Sequence, residues 1–249
     1  MMKRFFAIAL FVLGLGQLYA QPVRDTAWTK AGYFGLKLTQ VSLSSWSAGG
    51  ESALAFDSQI TYSADFKRDR QLWQNRLELG YGLTKNDGKS ARKTNDKIYF
   101  ASTYGYQIYK TLYWSALLNF NTQFAKGYDY NIEDSDFISK FMAPGYLMIG
   151  TGVTWSPNKI FTATFTPASW RGTIVADSRL SDEGAFGVDK GKHLLSEFGA
   201  NLKAEVNYEF LPNMKVYSRL ELYSNYLEDP QNVDVRWEVQ LNMAINKWF

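Results

Sequence analysis

Cysteine is absent from this chain. That excludes disulfide bonds, thiol chemistry and the lipid that bacterial lipoproteins attach to a cysteine behind their leader. Histidine occurs once, and no Gly-x-Ser-x-Gly elbow is present, so the usual parts of a nucleophilic hydrolase are missing. No segment reaches the roughly 20 uncharged apolar residues that a spanning helix needs, which excludes a helical membrane protein. Charge of one sign is lacking too. The 27 Lys and Arg against 24 Asp and Glu leave +3, spread along the chain, without the basic footprint that nucleic acid requires.

What is present begins with an export signal: Lys3 and Arg4, an apolar run from Phe5 to Leu15, and small Ala20 before Gln21. Cleavage after Ala20 leaves residues 21–249 as one domain. Aromatic residues make up 16% of the chain, with 16 Tyr, 17 Phe and 8 Trp, although its mean hydropathy is slightly polar. This combination suits a β-barrel that is apolar outside and wet inside.

The strands are read from period-two alternation. Leu54, Phe56, Ile60, Tyr62 and Phe66 alternate with Ala55, Asp57, Gln59, Thr61 and Asp65. Ten such segments run over 31–42, 53–66, 72–84, 97–108, 112–124, 146–155, 160–166, 196–210, 214–226 and 233–247. Short connections alternate with longer ones, as in outer-membrane barrels with tight periplasmic turns and long outer loops. If the short turns mark the periplasmic rim, an aromatic girdle belongs beside them on the lipid-facing set. Phe34, Phe66, Trp73, Tyr106, Trp114, Trp155, Phe161, Tyr208 and Phe210 fit that phase, and Phe249 is in phase with the last segment. A soluble sandwich also alternates, but has no reason to ring one end with aromatics. The expected fold is therefore an all-β, antiparallel up-and-down transmembrane barrel in the outer membrane of a Gram-negative-type envelope.

Several stretches resemble one family. They are Ser45-Trp46-Ser47-Ala48-Gly49-Gly50, Trp73-Gln74-Asn75 with Gly80-Tyr81-Gly82, and Arg92-Lys93-Thr94-Asn95-Asp96 leading to Tyr104-Gly105-Tyr106. Further on come Thr122-Gln123-Phe124 with Gly127-Tyr128, Ile138-Ser139 with Ala143-Pro144-Gly145-Tyr146, Pro157-Asn158, and Gly184-Ala185-Phe186-Gly187. In this order they resemble Domain of Unknown Function 3078, predicted outer-membrane barrels of Bacteroidota-type bacteria. In the family pattern, the stretch like Ile245-Asn246-Lys247 leads into a further hairpin. The expectation is thus about ten strands, or 12 if the chain is shortened at its C-terminus. The resemblance implies fold and location but no activity.

The inward sets carry Lys37, Asp57, Arg76, Glu78, Lys203, Glu205, Arg219, Glu221, Arg236 and Glu238, with both signs interleaved. A barrel of about ten strands is narrow. These groups are expected to pair across the lumen and either plug it or leave a thin polar path for small solutes. The roles that follow are envelope structure or limited solute passage. A second role is binding of a glycan, lipid or protein by outer loops around Trp46, 85–95, 129–136 and 175–192. The third and weakest is a hydrolase using His193 with Ser196 and Asp189. Asp129, Asn131, Glu133, Asp134 and Asp136 offer oxygen ligands but lack the calcium-loop pattern, and no metal or cofactor is expected. The expected partners are outer-membrane lipid and, during insertion, the barrel-assembly machinery. Gly80 with Gly82 and Gly150 with Gly152 lie inside strands, where glycine permits curvature or close approach rather than phosphate binding.

Overall fold

The computed structural model describes residues 27–43, 51–132, 136–212 and 214–243. The export signal, the Trp46 loop, Glu133, Asp134, the Ile245-Asn246-Lys247 stretch and Phe249 lie outside these residues. All ten expected segments form long strands: β1 (Trp28–Val41), β2 (Ala53–Arg68), β3 (Gln71–Asn86), β4 (Arg92–Tyr109), β5 (Leu112–Thr122), β8 (Gly145–Trp155), β9 (Phe161–Ile174), β10 (Leu194–Leu211), β11 (Met214–Asn225) and β12 (Val233–Met243). They pair in chain order as one antiparallel ten-stranded sheet. Between β5 and β8, the short β6 (Gly127–Tyr128) and β7 (Phe137–Ser139) pair with each other.

Alternation fixes the register. Between β2 and β3, Phe56 faces Leu83, Ile60 faces Leu79 and Phe66 faces Trp73 on one side of the sheet. Asp57 faces Gly82 and Thr61 faces Glu78 on the other. A slip of one residue would exchange the two faces along the whole strand. The tight turns after β2, β4 and β10 lie at one rim, and the 123–144 and 175–193 connections lie at the opposite rim.

β9 runs to Ile174, past the expected end at residue 166. Pro167 interrupts the sequence pattern because it has no N–H to give to a ladder. The sheet absorbs it as a bulge: Thr151 pairs with Ala168 while Val153 pairs with Phe165, and on the other side Gly199 pairs with Ser169 while Asn201 pairs with Thr166. Thr166–Ala168 thus carries one residue more than either neighbour, and pairing resumes with Arg171 on the polar face.

The sheet curls. Tyr99 in β4 and Arg219 in β11 line one cavity, although five strand spacings, roughly 24 Å in a flat sheet, separate them. The expected closure into a barrel is not what the structure has. Among the described residues, β1 pairs only with β2, and β12 only with β11. The curl stops short of bringing these two edges to the roughly 4.8 Å spacing at which backbone groups form a ladder.

Packing is inverted relative to a water-soluble domain. Thr166 and Ser169 on the concave face are fully buried, whereas Leu38, Val235 and Trp237 on the convex face are 69%, 66% and 72% exposed. The apolar core among the described residues sits at the long-loop rim instead. There Ala143, Val175, Leu180 and Val188 pack together with Phe137, Phe186 and Leu195 against them. Helix α1 (Ser178–Glu183) supplies Leu180 to this cap. It starts because the Asp177 carboxylate accepts from the Leu180 N–H, and it stops at Gly184, whose φ of 75° is accessible to glycine.

Candidate functional site

Ion pairs form three clusters on the concave face; two of them draw on residues expected to pair, within a strand or with the adjacent strand, and Lys37, Asp57 and Arg236 join no ion pair among the described residues. In the first, Glu78 receives Arg76 Nε and Lys97 Nζ, each at 2.5 Å. Asp57 accepts instead from the Asn95 amide at 3.0 Å. Lys37 lies opposite Asp57 in the register, and no ion pair joins them among the described residues.

The second cluster lies on β10, β11 and β12. Lys203 Nζ is 3.2 Å from Glu205, which also accepts from the Tyr217 hydroxyl at 2.8 Å. Arg219 Nη2 donates to Glu238 at 2.6 Å, with Glu221 3.8 Å from its Nε.

The third cluster was missed in the sequence because its arginine follows Pro167. Arg171 reaches Glu197 through Nε at 2.7 Å and Nη2 at 2.6 Å, and Asp234 through Nη1 at 3.1 Å. Its guanidinium lies 3.9 Å over the Tyr223 ring. One side chain of β9 therefore touches β10, β11 and β12. Continuing the alternation through Ser169, Arg171 and Thr173 is the signal that finds it.

These last two clusters border a cavity of about 730 Å³. Arg171, Glu197, Arg219 and Asp234 form one wall. Tyr99, Asn119, Asn121 and Tyr146, from β4, β5 and β8, form the other. Phe186 and Leu195 approach from the cap, and Arg236 stands on the β12 side. The volume falls in the roughly 300–1,000 Å³ range of small-molecule sites.

The cap is held over the rim by contacts between the two long connections. Arg179 donates to the Phe137 carbonyl, and Arg179 and Lys126 each lie 4.5 Å from the Phe137 ring. Lys140 Nζ is 2.5 Å from Asp177. The hydrogen bond from Lys140, with the Leu180 N–H behind it, holds the Asp177 carboxyl below its ordinary range. A carboxyl depressed in the fold stabilises it above its unfolded pKa of about 4 and loses that contribution as pH falls through the lower folded value. D177N keeps an oxygen that can accept from the Leu180 N–H but loses the ion pair with Lys140, and is therefore expected to cost under about 1 kcal/mol near neutrality. The gap between parent and variant in urea unfolding should close below about pH 4.

Other expected sites separate into unconnected contacts. His193 Nδ1 donates to the Val175 carbonyl at 2.7 Å, Ser196 accepts from the Trp170 indole at 2.6 Å, and Asp189 pairs with Lys192 at 2.9 Å. The hydrolase trio is not assembled. Asp129 accepts from the Asn131 backbone and side chain. No group of three or more His, Asp or Glu among the described residues is arranged for a metal ion.

Of the expected aromatic girdle, Phe66, Trp73, Tyr106, Trp114, Trp155, Phe161, Tyr208 and Phe210 lie at the short-turn rim on the convex face, as the pairings Phe66 with Trp73, Tyr106 with Trp114 and Tyr208 with Val216 require. Phe34 does not lie there: it faces Ile60 in mid-strand. Trp28, which precedes the expected first segment, holds that position, with ring centroids 5.2 Å from Phe66 and 5.9 Å from Trp73.

Residues 38–128 match the model of a family described as "Protein of unknown function (DUF3078)", which supports the resemblance read from the sequence over that stretch. The match covers β2 to β6 and most of the open cavity wall, and stops before Arg171. Comparison with curated proteins and with solved structures gives no match.

Proposed function

We propose that the chain is exported and inserts in the outer membrane as a β-barrel, with its polar face lining a narrow lumen that serves envelope structure or limited passage of small solutes. The inversion of polarity carries this reading. Water penalises a continuous exposed band containing Leu38, Val235 and Trp237, because monomeric soluble proteins rarely expose large apolar patches. Lipid does not. In a bilayer the unpaired backbone of β1 and β12 would be costly, so the spanning form pairs these edges, directly or through further strands. Outer-membrane lipid and the barrel-assembly machinery are the partners this implies.

Fractionation of a Gram-negative host expressing the full chain tests the reading. Recovery in the outer membrane, with an N-terminus at Gln21 and a folded form that shifts on gels after boiling, is expected. Recovery in the soluble periplasm would overturn it. A sharper discriminator is Val239→Arg, a position 58% exposed on the convex face. In water such a change costs little. On a lipid-facing strand it should cost about 2–4 kcal/mol near the midplane, read as a drop in urea midpoint in vesicles.

A surface-binding role has its own support in the ordered cap, where Ile138 and Phe141 are each 53% exposed. Partner capture that survives replacement of Ile138 and Phe141 by serine would count against it.

A further inference from the structure

We propose that the cavity between the cap and the polar face binds a hydroxylated carboxylate, an acidic sugar, with Arg236 receiving the carboxylate and the Tyr and Asn wall receiving the hydroxyls. This rests on the lumen reading and names the solute class that the lumen accepts.

The argument comes from which groups are already engaged. On the β9–β12 wall, Arg171 is taken by Glu197 and Asp234, and Arg219 pairs with Glu238 while Glu221 stands 3.8 Å from its Nε, a buried donor without a hydrogen-bond partner among the described residues. Two arginines thus hold four carboxylates, and with Arg236 this side carries three positive charges against four negative. Arg236 lines the same cavity and has no ion pair or hydrogen bond among the described residues. Its register partner is Glu221, and its neighbours on the same face of β12 are Asp234 and Glu238. All three are paired with the other arginines, so among the described residues Arg236 is the cavity arginine without an ion pair, and the one we assign to a ligand.

The opposite wall is neutral and equally uncommitted. The Tyr99 and Tyr146 hydroxyls and the Asn119 and Asn121 amides line the cavity without a hydrogen-bond partner among the described residues. Tyr223 is 6% exposed, and its buried hydroxyl also lacks a partner. Native structures rarely leave such a group unsatisfied. Phenols and amides both donate and accept, which matches a sugar hydroxyl, itself donor and acceptor. Aromatic faces beside them suit the apolar side of a sugar ring.

One carboxylate fits better than a phosphate monoester. A monoester carries about −1.5 to −2 charge at pH 7, and Asp234, Glu221 and Glu238 around Arg236 disfavour the second charge. A bidentate guanidinium–carboxylate pair supplies orientation as well as attraction.

Isothermal titration of the full chain in detergent tests this, using only protein whose folded state has been verified by its gel shift. Glucuronate is the probe, with glucose and acetate as controls. Glucuronate is expected to bind at least about tenfold more tightly than either control. R236Q should weaken it at least about tenfold, one decade being about 1.4 kcal/mol. N121A and Y146F should each weaken it about three- to tenfold, in the range of one lost hydrogen bond. Equal affinity in parent and R236Q, equal affinity for glucuronate and acetate, or no glucuronate heat from folded protein would overturn the inference. Those outcomes leave membrane insertion intact. Glucuronate binding by protein that fails to insert would sink the lumen reading and spare this one.

Discussion

Gly152→Ala is expected to abolish the folded form, whereas Gly32→Ala leaves it nearly unchanged. A Cβ at Gly152 would lie 2.0 Å from the Phe165 carbonyl oxygen and 2.7 Å from the Thr166 Cα. Both are backbone atoms, so no rotamer change relieves the clash. They stand beside the extra residue at Thr166–Ala168, where the register between β8 and β9 shifts. At Gly199, on the other flank of the bulge, a Cβ would meet the Ser224 carbonyl at 2.0 Å, so G199A should behave alike. Overpacking of a close-packed site costs about 1–3 kcal/mol and more where the obstacle cannot move. A value above about 3 kcal/mol is expected here. At Gly32 the nearest atom would be 3.7 Å away, an ordinary contact, and G32A should stay within about 0.5 kcal/mol, as benign surface changes do. The gel shift on boiling and the urea midpoint read both. Folded G152A at parental stability would show that the bulge is not the constraint.

That bulge also marks where the sequence stops being legible. Period-two alternation yields all ten long strands because each turns one face to polar neighbours and the other away from them, and a single slip would exchange the faces. The same rule fails at Pro167, since a residue without an N–H reads as the end of a strand when the ladder merely steps over it. Arg171 was lost with it. Helix α1 was missed for another reason: six residues are too few for helical periodicity to emerge. Its signals are the cap residues Asp177 and Gly184, placed where a start and a stop belong.

The charged groups of the concave face could be named from phase alone, but not their partners. Glu78 chooses Lys97 of the neighbouring strand as well as Arg76 two residues away, and Asp57 takes Asn95 rather than Lys37. The cavity was illegible altogether. Tyr99 and Arg236 line one cavity because the sheet curls, and curl is a sum of small twists over many strands rather than a property of any segment. Whether β1 and β12 pair is a global matter of tilt and shear of the same kind.

Breaking the Arg171 clasp is the other change with a large expected effect. Glu197 is 8% exposed, and both of its oxygens accept from one guanidinium. R171M removes that partner and leaves a carboxylate enclosed beside Tyr223 with no cation, held only by the Asn225 amide at 3.4 Å. Such an uncompensated charge costs about 3–5 kcal/mol when fully buried. Arg171 keeps 30% of its side-chain surface exposed, so solvent screening brings the expectation to about 2–3 kcal/mol. Asp234, 67% exposed at 3.1 Å, contributes little, and D234N should cost under about 0.5 kcal/mol. The decisive variant is the double, R171M/E197L. If the loss in R171M comes from the stranded carboxylate, removing it should restore most of the stability, because a buried pair exchanged for apolar side chains of similar size is often neutral or stabilising. If the clasp instead holds β12 to the sheet by spanning β9 to β12, the double variant stays as unstable as R171M. Urea unfolding of the parent, R171M, E197L and the double variant separates these outcomes: recovery to within about 1 kcal/mol of the parent assigns the effect to desolvated charge.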